Sequence, residues 1–66
     1  MIEIVVDCNN DRINFGESHF DLERPHYTLE ILHALFDLLS DIQDEGILNI
    51  QLIKIDEDTR TVVGEW

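Results

Sequence analysis

The side chains of this 66-residue chain best suited to covalent or metal chemistry are one cysteine, Cys8, and three histidines, His19, His26 and His33. A Cys–His nucleophile needs the thiol beside an imidazole that can take its proton. Cys8, however, continues the face formed by Ile2, Ile4 and Val6 in an alternating run, where a free cysteine packs as a small hydrophobe. No serine nucleophile elbow, glycine-rich phosphate loop or dinucleotide fingerprint is present. The chain is therefore not expected to be an enzyme. Metal ligation is equally unsupported. The histidines stand seven residues apart, a spacing that matches no zinc site. Asp7-Cys8-Asn9-Asn10-Asp11 begins as a calcium loop does, but Arg12 stands where glycine is needed and Ser18 where a bidentate glutamate is needed. Neither a metal nor a cofactor is expected.

The acids carry more information. Four Lys+Arg against fifteen Asp+Glu leave a formal charge of −11. Such a chain has no cationic footprint for a phosphate backbone and is repelled by anionic headgroups, which argues against direct binding to nucleic acid or to membranes. Between Arg24 and Lys54 there is no Lys or Arg, while Glu30, Asp37, Asp41, Asp44 and Glu45 fall within that interval. Glu30, His33, Asp37, Asp41 and Asp44 follow steps of three and four, so on a helix they form one acidic face. Solvated helix faces usually mix signs, since Glu–Lys pairs four apart each add about 0.2 to 0.5 kcal/mol. Asp41, Asp44 and Glu45 also sit toward a helix C-terminus, where an acid costs about 0.3 to 1 kcal/mol. A local rule broken without visible compensation points to function. Acids four apart lie about 6 Å apart along a helix axis, of the order of phosphate spacing. Asp56-Glu57-Asp58 adds a second acidic group, in a turn.

The elements that must position these residues follow from periodicity. The run from Ile2 to Asp7 and Arg12-Ile13-Asn14-Phe15 alternate around Asn9-Asn10-Asp11 and predict a hairpin. Phe20 and Leu22 suit either a short edge strand or a loop with two apolar anchors, and Pro25 stops strand pairing. Leu29, Ile31, Leu32, Leu35, Phe36, Leu38, Leu39 and Ile42 predict a helix from Thr28 to about 45, with Thr28 as N-cap, Tyr27 stapled on Leu32 and Gly46 as its stop. The Leu32, Leu35, Leu39 and Ile42 stripe is expected to pack on Ile2, Ile4, Val6, Ile13 and Phe15. Ile47 to Ile55 and Arg60 to Trp66 read as a second hairpin. Val5, Ile53 and Ile55 are expected to point away from the helix and to be exposed unless something covers them. Trp66 either joins that surface or folds back as a plug.

The expected fold is thus α+β: one compact domain, residues 1–66, with a small sheet of two hairpins in ββαββ order and one helix across one face. That order resembles the β-grasp arrangement of ubiquitin-like and immunoglobulin-binding bacterial domains, in order and length alone. A single cysteine, an acid at position 3 and no long apolar run predict a cytoplasmic protein, in the host cytoplasm if virus-encoded.

The functional expectation is a small acidic inhibitor of phage or plasmid type. It would block a basic nucleic-acid-binding host or defence protein, such as a CRISPR nuclease complex, by presenting a phosphate-mimicking surface. Its contact residues would be Glu30, Asp37, Asp41, Asp44, Glu45, Asp56, Glu57 and Asp58. Two other readings share the composition: an antidote or immunity protein for a basic toxin, and an adaptor subunit that binds through its apolar sheet face. Homodimerisation through that face or through the last strand is a further expectation.

Overall fold

A computed structural model describes residues 1–42 and 48–66. The elements follow as β1 (Ile2–Asp7), β2 (Arg12–Phe15), β3 (Ser18–Asp21), α1 (Pro25–Ile42), β4 (Ile50–Asp56) and β5 (Thr59–Glu65). They form one five-stranded sheet in the order β3-β2-β1-β4-β5. β1 and β4 are parallel, because the chain crosses back through α1 between them, and every other pair is antiparallel. The fold is α+β, with the helix across one face of the sheet.

The first half is a three-stranded meander rather than a simple hairpin. Gly16, at φ 56°, opens a two-residue turn of the primed type that suits strand twist, and Ser18–Asp21 then pairs with β2 as an edge strand. Phe20 therefore lies on a strand and Leu22 just past it, with the Leu22 N–H donating to the Asp11 carbonyl at 2.7 Å. The strand after the helix is shorter than expected: Leu48 and Asn49 precede it, and Ile47 lies outside the described residues.

The helix begins three residues earlier than the sequence reading placed it. Pro25 occupies its first turn, where a missing N–H costs nothing and the ring presets φ. Thr28 is inside the helix and is not its cap: both its N–H and its Oγ1 donate to the Arg24 carbonyl, at 2.9 and 3.0 Å. The expected extension to residue 45 and the Gly46 stop fall outside the described residues.

The buried helix face also differs. Pro25, Leu29 and Phe36 are buried and Leu32 and Leu39 pack against the core, whereas Leu35 and Ile42 are 45% and 68% exposed. The apolar residues of α1 form two stripes, one through Leu29, Leu32, Phe36 and Leu39 and one through Ile31, Leu35, Leu38 and Ile42. The sheet receives only the first of these. Its receiving surface is Ile4, Val6, Ile13 and Leu52, and Ile2 and Phe15 share that face but lie beyond the helix and stay exposed.

The opposite sheet face is less open than expected. Ile53 is fully buried and Val5 and Ile55 are half-buried. Strand register supplies the reason. Val5 and Val62 flank Ile53, and a line from Glu3 on β1 to Arg60 on β5 crosses β4 at Ile53. The Arg60 guanidinium approaches the Glu3 carboxylate at 3.9 Å along that line. The long stems of these side chains cover apolar surface while their exposed charges add little.

Trp66 folds back as a plug. Its backbone exchanges hydrogen bonds with Ile50, 2.8 and 2.9 Å long, and its ring packs on Phe36 and His33 with centroids 5.2 Å away in each case. The indole Nε1 donates to Asp37 Oδ1 at 2.7 Å, satisfying its polar edge. A register shift between Leu52 and Ile53 leaves Val63 as the extra residue and sets Gly64 directly under the ring, where any Cβ would collide with the indole.

Two outcomes follow. Phe36→Ala should cost about 3 to 5 kcal/mol and Leu35→Ala less than about 1 kcal/mol in urea denaturation, the reverse of what the helical pattern alone suggests. Gly64→Ala should displace the indole. Its emission should shift to the red and the thermal midpoint should fall, whereas an unchanged spectrum would contradict the packing of Trp66 over Gly64.

Candidate functional site

The acidic face of α1 starts from a side chain that the sequence reading weighed only as a nucleophile's partner and as a zinc ligand. His26, Glu30, His33, Asp37 and Asp41 succeed one another at steps of four, three, four and four, and so share one flank of the helix. At its N-terminal end His26 Nε2 lies 3.3 Å from Asp56 Oδ2. That contact joins the helix flank to the Asp56-Glu57-Asp58 turn, so the two acidic groups expected separately form one ridge. Glu30 and Asp41 are exposed, and among the described residues no Lys or Arg pairs with either. Asp44 and Glu45, expected to extend the ridge, lie outside the described residues.

Asp37 has a second role. Oδ1 accepts the Trp66 indole N–H and Oδ2 lies 3.3 Å from His33 Nδ1, yet the side chain is 56% exposed. Its carboxylate is held in one orientation while still facing solvent. Asp37 therefore both anchors the C-terminal plug and contributes charge to the ridge.

The turn end of the ridge is braced by amides. Asn9 Oδ1 accepts the Glu57 N–H and Asn9 Nδ2 donates to the Glu57 carbonyl, both at 2.8 Å, tying the β1–β2 turn to the β4–β5 turn. These bonds hold Glu57 in a left-handed conformation, φ 54°, that a residue with a long side chain seldom adopts. Asp7 organises the first turn: Oδ1 accepts the N–H groups of Asn9 and Asn10 at 2.9 and 3.2 Å, and Oδ2 accepts Asn10 Nδ2 at 2.9 Å. The Asn10 side chain, helped by the Asn10 and Asn9 N–H groups against partial burial, holds the Asp7 carboxyl below its usual 3.8. Glu57 and Asp58 are left exposed at the tip.

Cys8 packs against the core, and burial, reinforced by the charge of Asp56, pushes its thiol above its usual value. His19 stands on the edge strand opposite Asn14. Among the described residues no three His, Cys, Asp or Glu side chains are placed to hold a metal ion, and no helix is long and apolar enough to cross a membrane. An open hollow of about 460 Å³ lies at the start of β1, lined by Met1, Ile2, Glu3, Val5, Asn14 and Gly16. Glu3 is its only carboxylate, so it lacks the convergent groups of an acid–base site. No protein family, curated protein or solved structure matches this chain.

The sequence reading placed His33 on the acidic face but missed His26, which was legible at the same spacing four residues before Glu30. The link from His26 to Asp56 spans thirty residues and has no sequence signal.

Because the Asp7 carboxyl titrates below its unfolded value, its contribution is complete above about pH 3.8 and is lost as pH falls through the depressed native value. Asp7→Asn should therefore be less stable than wild type at neutral pH. In parallel acid titrations followed by circular dichroism, that difference should shrink progressively as pH falls through 3.8 toward the depressed native value.

Proposed function

We propose that this chain is a small acidic inhibitor that covers a basic nucleic-acid-binding surface on another protein, its carboxylates standing where phosphates would. The observation that carries this reading is the ridge from Glu57 and Asp58 through Asp56 and His26 to Glu30, Asp37 and Asp41, in which, among the described residues, no acid of the helix is matched by Lys or Arg. Glu30 and Asp41 lie three helical turns apart, roughly 16 Å at about 1.5 Å per residue, with Asp37 fixed between them. Pre-oriented carboxylates lose less freedom on binding than mobile ones do. A partner whose groove is lined by Lys and Arg gains the same counterion release from this ridge as from a nucleic-acid strand. Phage- or plasmid-borne inhibitors of nuclease-based defence complexes, CRISPR nucleases among them, are the partner class this chemistry suits. The role requires no catalysis, metal or cofactor, and it suits a protein of the host cytoplasm. An antidote to a basic toxin would use the same ridge, with the toxin in place of the nuclease.

The test avoids Asp37, whose loss would also release Trp66. Glu30→Gln/Asp41→Asn should fold at least as stably as wild type, since it removes self-repulsion and a carboxylate near the negative end of the helix. Against a candidate nuclease complex it should bind about tenfold or more weakly at low salt, and added DNA should displace the wild type. Equal binding by variant and wild type would eliminate this ridge as the contact.

A further inference from the structure

Ile31, Leu35 and Leu38 continue the second apolar stripe of α1, and all three are about half exposed, at 49%, 45% and 56%. Trp66 occupies the opposite flank of the helix, against His33, Phe36 and Asp37 at the β5 side of the sheet. The second stripe consequently faces the β2–β3 side. There the helix-side face of the sheet carries Phe15 and Phe20, paired in register with buried Ile4 and Ile13 and left uncovered at 39% and 58% exposure. Their rings meet edge to face, with centroids 6.3 Å apart. Helix flank and sheet floor thus form the two walls of one apolar cleft.

We infer that this cleft receives an amphipathic helix carrying Lys and Arg beside its apolar ridge, supplied by another protein. The stripe extends from Tyr27 to Ile42, roughly 22 Å at about 1.5 Å per residue, the length of a four-turn helix. Charge selects the occupant. Glu30 and Asp41 border the stripe on the solvent side of α1, Glu17 and Glu23 flank the edge strand, and α1 contains no Lys or Arg. A second copy would bring acids against acids between chains that each carry −11. A cationic amphipathic segment meets apolar wall with apolar ridge and acidic rim with basic flank. The inference shares Glu30 and Asp41 with the ridge but does not rest on phosphate mimicry, because its apolar wall, Ile31, Leu35 and Leu38, lies on the flank away from Trp66.

The probe is a synthetic peptide of about 18 residues with Leu at three-and-four spacing and Lys elsewhere. A control peptide of identical composition has its leucines distributed around the helix. Fluorescence anisotropy with the full chain at about 0.15 M salt should give at least about tenfold tighter binding for the amphipathic peptide. Leu35→Ser/Leu38→Ser, which alters two side chains already half in water, should reduce that binding about tenfold or more while leaving the circular dichroism spectrum unchanged. Should that variant unfold, Phe20→Ser on the sheet wall carries the same expectation. Equal affinity for the two peptides, or wild-type affinity in a folded variant, would overturn the proposal. So would a wild-type dimer in sedimentation velocity that Leu35→Ser/Leu38→Ser converts to monomer, which would assign the cleft to a second copy.

Discussion

One α-helix, about 10 Å across with its side chains, covers about two strands spaced about 4.8 Å apart, and this sheet has five. That disproportion governs the rest of the molecule. The helix settles over the central pair, where Ile4, Val6 and Leu52 meet Leu29 and Phe36. On one side the uncovered sheet is closed by Trp66, whose ring reaches back to the helix and whose N–H is anchored by Asp37. On the other side nothing among the described residues plays that part. Phe15, Phe20 and the outer apolar stripe of α1 remain in water.

Charge is arranged with the same asymmetry. One cation serves the open sheet face, where Arg60 leans toward Glu3 over Ile53. The helix receives none: among the described residues Asp37 is met by His33 and the Trp66 indole, and no Lys or Arg pairs with Glu30 or Asp41. Each such choice costs a little: an acid near the helix C-terminus opposes the macrodipole, and unrelieved repulsion among carboxylates weakens a domain with so thin a core. Several acids offset part of that cost with structural work. Asp7 caps a turn, Asp37 holds Trp66, and Asp56 meets the first turn of the helix. Glu30, Asp41, Glu57 and Asp58 have no such role among the described residues, and they form the exposed crest of the ridge.

Much of the architecture was legible because it rests on local periodicity. Alternation in the first strand, Asn9-Asn10-Asp11 at a turn, and the shift to three-and-four spacing after residue 28 each reflect short-range sterics. The helix start was misread because Thr28 satisfies the usual capping preference, while the proline three residues earlier satisfies a different first-turn preference and prevailed. The site was half legible. Spacing alone aligned Glu30, Asp37 and Asp41, but leaving Leu35 and Ile42 outside the core required knowing which of two apolar stripes the sheet would accept.

The sequence by itself determined the element types, the charge of −11 and its absence of cations along the helix, since these depend on residue identity and on neighbours within about one turn. The tertiary structure decided how the helix is rotated: Leu29 and Phe36 join Ile4, Val6 and Leu52 in the core, and only one of the two stripes can be buried. It also joined Asp56 to His26 and Trp66 to Asp37, contacts between residues about thirty apart. Such pairings arise from the parallel register of β1 with β4, which brings distant ends of the chain together and which no local pattern encodes.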